Sequence, residues 1–236
     1  LLELADRLWP GAEGWFEEAI FHIDSDGGLP HLLREIGQAD LIQLEEDNDT
    51  ASPMRLDEPF CFDLDWWTDE LADGKAMKVW AGRMGSVRIA RAMQKAIVDV
   101  PDPHHLFDHG TVVYDPDNPS KKVEPFYFDS RRGWNAQSRD IGFAPDSFSM
   151  TTAAFPAVEF LCLVGLQRFR PAATDQRRVF TYFPWQYRLP LTIAAVAANN
   201  AVQMRDDPAY RFEVAFRTDQ KKHKSFLPAT PIGVST

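Results

Sequence analysis

From Pro156 to Phe169 the chain reads PAVEFLCLVGLQRF, apolar on nearly every side of a helix until Arg168. A helix with no polar face must be covered all round, so this segment is expected to be a buried central helix that the rest of the chain wraps. The candidates for that wrapping are legible. Val179 to Trp185 is rich in aromatic and branched residues and reads as a strand, as does the alternating stretch Tyr210 to Arg217. Leu191 to Ala201 is an Ala-rich helix candidate. From Phe60 to Trp66, Phe60, Phe62, Leu64 and Trp66 face one way, and Cys61, Asp63 and Asp65 the other. Strand and helix patterns intermix without a regular βαβ spacing. The expected class is therefore α+β, a mostly antiparallel sheet flanked by helices.

The remaining elements are shorter. Leu1 to Trp9 reads as the end of a helix stopped by Pro10 and Gly11, Ala19 to Ile23 as a strand, and Asp24 to Gly28 as a turn. A helix is expected from Pro30, with Leu32, Leu33 and Ile36 on one stripe. Glu45 to Pro59 is acidic and turn-rich, which suggests a solvated loop. Met77 to Trp80 predicts a short strand, and Ser86 an N-cap for a helix reaching Val98. Pro101 to Pro125 reads as loop with a short strand at Thr111 to Tyr114, and Pro125 to Ser130 as another strand. Cys61 and Cys162 are flanked by apolar residues and are expected to be buried, reduced thiols. No apolar run reaches the roughly 18–20 residues of a membrane span, so a cytoplasmic protein with no membrane partner is expected. The chain opens on Leu1 inside a helical pattern, so a preceding segment is expected.

Charge divides the chain. Residues 1–74 carry 20 Asp and Glu against Arg7, Arg34 and Arg55, a net of −17, while residues 75–236 carry 22 Lys and Arg against 15 acids. The overall net of −10 hides this polarity, and we divide the chain into an acidic portion, 1–74, and a basic, nucleic-acid-facing portion, 75–236, which can form one continuous domain. On the helix from Ser86, Arg88, Arg91 and Lys95 fall along one face, and Arg83 lies just before it. Such a row can follow a phosphate backbone, and serves equally as a solvated face. Further cations are Arg131, Arg132 and Arg139, then Arg168 and Arg170, then Lys221, Lys222 and Lys224 at a hairpin tip. Trp134, Phe169 and Phe226 lie among them, and cations beside stacking surfaces suit nucleic acid. These twelve cations are the candidate nucleic-acid contacts.

Catalytic signatures are sparse. The sequence has no GxSxG, no Walker loop, no GxGxxG and no HExxH. His105 and His109 stand four apart, but Pro101, Pro103 and Gly110 argue against the helix that would aim both at one metal. Asp63 and Asp65 share a strand face and are the carboxylates a metal-dependent nuclease would use. The expectation is a non-enzyme without cofactor; the alternatives are that nuclease and a protein–protein scaffold that touches no nucleic acid.

Four stretches together resemble a known family: Leu1 to Trp15 (LLELADRLWPGAEGW); Leu64 to Trp67 (LDWW) with Lys78 to Gly82 (KVWAG); Phe128 to Arg131 (FDSR) with Arg139 to Phe143 (RDIGF); and Pro156 to Leu161 (PAVEFL) with Gly165 to Pro171 (GLQRFRP). Their order and spacing resemble the CRISPR-associated effector subunits of type I-U, or I-G, systems. The resemblance implies a subunit of a Cascade-like ribonucleoprotein complex in antiviral defence. Its partners would be CRISPR RNA, target double-stranded DNA and other Cascade subunits, with sequence reading left to guide pairing. It also implies, more finely, an RNA-recognition or ferredoxin-like core with helical insertions.

Overall fold

The computed structural model describes residues 29–44, 53–65, 85–98, 105–129, 153–167, 169–184, 191–198, 209–216 and 224–232. The elements expected at Leu1 to Trp9, Ala19 to Ile23, Asp24 to Gly28 and Met77 to Trp80 lie outside these, as does Trp66. The architecture is α+β, with small antiparallel sheets and few helices. Helix α1 (Leu29–Gln38) leads into a three-stranded sheet of β1 (Leu41–Gln43), β2 (Met54–Leu56) and β3 (Phe62–Leu64), paired antiparallel in that order. Helix α2 (Ser86–Val98) and the hairpin β4 (Tyr114–Asp115) and β5 (Asn118–Lys122) follow, then helix α3 (Pro156–Gly165).

The last part is a five-stranded sheet. Strands β6 (Ala172–Ala173) and β7 (Val179–Tyr182) precede helix α4 (Leu191–Ala198), and β8 (Ala209–Phe216), β9 (Lys224–Phe226) and β10 (Thr230–Ile232) complete it. The Val214 N–H donates to the Arg178 carbonyl, whereas the Glu213 carbonyl accepts from the Leu227 N–H. Neighbouring strand residues point their backbone groups to opposite edges, so β7 takes one edge of β8, and β9 and β10 take the other in succession.

One buried cluster joins these parts. It holds Leu33, Ile36, Leu56 and Leu64 from the acidic portion together with Ile89, Met93, Phe160 and Val214 from the basic one, so packing runs across the charge boundary at residue 74. The alternation around β3 is as expected: Phe60, Phe62 and Leu64 are buried, and Asp63 and Asp65 exposed. The strand itself begins only at Phe62, because Cys61 has φ 47° and turns the backbone before the ladder starts.

Four expectations need correction. The acidic stretch Glu45 to Pro59 contains strand β2, whose Met54 and Leu56 are fully buried; three residues are too few for alternation to stand out from the acids around them. Residues 125–129 form no strand, because Tyr127 has φ 68°, in a left-handed conformation that cannot continue a ladder. The Phe128 and Asp129 N–H groups donate instead to the carboxylate of Glu159 on α3, at 3.3 and 3.0 Å. Ser86 is not the N-cap of α2: the Gly85 carbonyl accepts the Ile89 N–H, and Ser86 lies buried within the first turn. Finally, α3 is not covered all round. Pro156, Ala157, Phe160 and Leu163 are buried, whereas Val158, Leu161, Cys162 and Leu166 line a cavity.

Helices α1 and α2 meet through Gln94 and Gly37. Gln94, buried, donates from Nε2 to the Ile36 carbonyl at 2.7 Å and the Ala39 carbonyl at 3.0 Å. It thereby supplies donors to the C-terminal turn of α1, where helical carbonyls lose their own partners. Gly37 lets the helices approach, since a Cβ there would collide with the Val98 side chain.

Candidate nucleic-acid interface

The candidate surface is built on α2 and the β4–β5 hairpin. Helical spacing sets Arg88, Arg91 and Lys95 along one side, as the periodicity predicts. Tertiary contacts then give them different tasks. Arg88 Nε lies 2.8 Å from Asp115 Oδ2 on β4, an ion pair whose N–H is not aligned as a hydrogen bond. The Asp115 side chain is only 11% exposed, and its Oδ1 accepts the Asp117 N–H at 3.1 Å. Arg91, exposed, nonetheless donates to the Leu41 carbonyl at 2.8 Å and ties α2 to β1. Lys95 is exposed.

Lys95 lines a cleft of about 300 Å³ between α2 and the hairpin, with His109, Thr111, Tyr114 and Asp115 among its other walls. Tyr114 is 43% exposed and pairs in register with Lys122. All of β5, including Lys121 and Lys122, is exposed. These two lysines are not among the twelve sequence candidates, because the segment NPSKK carries no burial signal and reads as a loop.

The other candidates are dispersed. Arg170 donates from Nε to the Gln167 carbonyl at 3.2 Å, and its guanidinium lies 3.3 Å from Asp65 Oδ1, so one basic cluster is joined to the acidic portion. Gln167 exchanges side-chain and backbone hydrogen bonds with the same aspartate. Lys224 pairs opposite Phe216 at the start of β9. Arg83, Arg131, Arg132, Arg139, Arg168, Lys221 and Lys222 lie outside the described residues.

For the nuclease alternative, Asp63 faces Arg55 at 2.8 Å and Asp65 faces Arg170. His105 is exposed and His109 half-buried in the cleft. Among the described residues no three His, Cys, Asp or Glu side chains gather where they could hold one metal ion. Also among them, no helix is long and apolar enough to cross a membrane.

A second cavity, about 440 Å³, separates α3 from the five-stranded sheet. Its aromatic wall is continuous: Phe128 stacks on Phe226 at 5.8 Å, and Phe226 meets Phe212 edge-on at 5.4 Å. The thiol of Cys162 opens onto it, and burial, then the negative charges of Glu159 and Asp129, push that thiol from 9.0 up to about 12. Burial, then Cys162, raises Tyr182 as well. Cys61, against expectation, is exposed, because its turn conformation points it away from the core face of β3.

The two cysteines are therefore predicted to differ. At pH 8 iodoacetamide should label the exposed Cys61 much faster than the half-buried Cys162, whose raised pKa keeps it in the unreactive thiol form; equal labelling rates in the native protein would refute that difference. Because the folded state holds the Cys162 proton more tightly, the associated stability is complete below about pH 9 and is lost as pH rises toward about 12.

No family model, no curated protein and no solved structure matches the chain.

Proposed function

We propose that the chain is a non-catalytic subunit of a type I CRISPR interference complex and contacts CRISPR RNA or target DNA through the α2–hairpin surface. The observation that carries this reading is a cleft lined by Lys95 and the half-exposed Tyr114, with the exposed Lys121 and Lys122 on the strand that pairs with Tyr114. Exposed cations next to an exposed aromatic are the two components of sequence-tolerant nucleic-acid binding. The CRISPR assignment draws its support from the four-stretch resemblance. In this reading the acidic portion faces basic regions of neighbouring subunits. An RNA-recognition-like core is the finer architecture within it. The run α3–β6–β7–α4–β8 has the helix–hairpin–helix–strand order of that core, while direct pairing of β7 with β8 departs from its strand order.

The test follows from how the cations are used. Arg88→Glu would set a carboxylate against Asp115 and disturb folding, so the informative reversal is Lys95→Glu with Lys122→Glu. Binding should weaken across all sequences, and the slope of log affinity against log salt should flatten by about one unit per lost phosphate contact. An unchanged slope would exclude this surface. A guide RNA of uniform length should co-purify with the assembled complex; without one, the CRISPR assignment fails.

A further inference from the structure

The α2–hairpin cleft has a polarity that a plain phosphate groove would not have. Its inner wall carries the Asp115 carboxylate, held in place by Arg88 and by the Asp117 N–H, while Lys95 lines it from α2 and Lys122 stands opposite Tyr114 on the hairpin. A phosphate driven inward would meet that carboxylate and be repelled. A nucleobase would not, because a carboxylate has about four lone-pair positions and can accept from the N–H groups of a base edge. Tyr114 lines the same recess with nearly half its surface exposed, so its ring is available for stacking. A base-paired duplex keeps its base faces stacked and its Watson–Crick edges paired, so it has no free base to place in such a recess, whereas a single strand can place one there.

Resting on the nucleic-acid reading above, we infer that this cleft takes one unstacked base of a single-stranded segment, stacked on Tyr114, with the flanking phosphates toward Lys95 and Lys122. Asp115 sets the orientation of the base edge, and Arg88 acts as a positioning residue that holds Asp115.

The experiment uses the whole chain with oligo-A RNA, oligo-dA and a duplex of equal length, each single strand carrying one 2-aminopurine. Both single strands should bind about tenfold more tightly than the duplex, with a change in 2-aminopurine fluorescence as the base leaves its neighbours. Tyr114→Ala should weaken single-strand binding by about tenfold and remove that change while leaving the salt slope intact. Tyr114→Phe should keep the affinity. Tighter binding of the RNA arm would identify a guide-type strand, and of the DNA arm a displaced target strand; both support the inference. Single-strand binding that survives Tyr114→Ala undiminished, or a preference for the duplex, overturns the inference and leaves the nucleic-acid reading standing. Failure of every probe to bind at low salt overturns both. Since Tyr114 is exposed, unchanged circular dichroism is expected for both variants and separates lost binding from lost folding.

Discussion

Glu159→Ala is expected to destabilise the protein by about 3–5 kcal/mol, from two charge-assisted hydrogen bonds at roughly 1.5–3 kcal/mol each. Glu159 is buried in the first turn of α3, where the helix dipole favours a carboxylate, and it accepts from the Phe128 and Asp129 N–H groups. Those groups belong to a segment that the φ of Tyr127 prevents from joining a sheet. Removing the carboxylate strips the segment of acceptors that no neighbouring strand replaces. Glu159→Gln retains one acceptor oxygen but sets its NH₂ against the other N–H, so roughly half the loss should remain. Urea unfolding measures both variants, and amide exchange at Phe128 and Asp129 supplies the local readout. A midpoint for Glu159→Ala within error of the wild type, or undiminished protection at those amides, would show that the carboxylate does not hold the segment.

Gln94→Leu is expected to cost about 2–4 kcal/mol, because it leaves the Ile36 and Ala39 carbonyls without the donor that α2 supplies, at roughly 1–3 kcal/mol each. In a chain of this size that corresponds to a fall in Tm of about 5–15 °C. The apolar volume of leucine fits the site, so the loss isolates the hydrogen bonds from packing. Gln94→Glu is the sharper case. A carboxylate would face two carbonyl acceptors, so its destabilisation should shrink at low pH, where the protonated acid can donate again. A Gln94→Leu variant as stable as the wild type would mean that the end of α1 is satisfied in another way.

Both residues show where local pattern stops being informative. Within an apolar helix, Glu159 looks like an interruption, yet its partners lie about 30 positions earlier in the chain. Gln94 reads as part of a polar face, and its acceptors lie more than 50 positions away. Helix α2 itself was legible to within a residue, since its apolar face repeats at helical spacing. The hairpin that completes the cleft was not. The residues of β5, NPSKK, are all exposed and include a proline, so they carry no burial signal and resemble a loop.

The same division holds for the candidate interface. Residue order alone establishes a strongly acidic first 74 residues, a basic remainder, and a cationic row on α2, because charge counts and helical periodicity are local properties. Folding determines which of those cations face outward. Asp115 meets Arg88, the Leu41 carbonyl accepts from Arg91, and Lys95 lines the cleft together with Tyr114. That allocation depends on which carboxylates and carbonyls packing brings within about 3 Å of each cation, a distance that spacing along the chain does not encode.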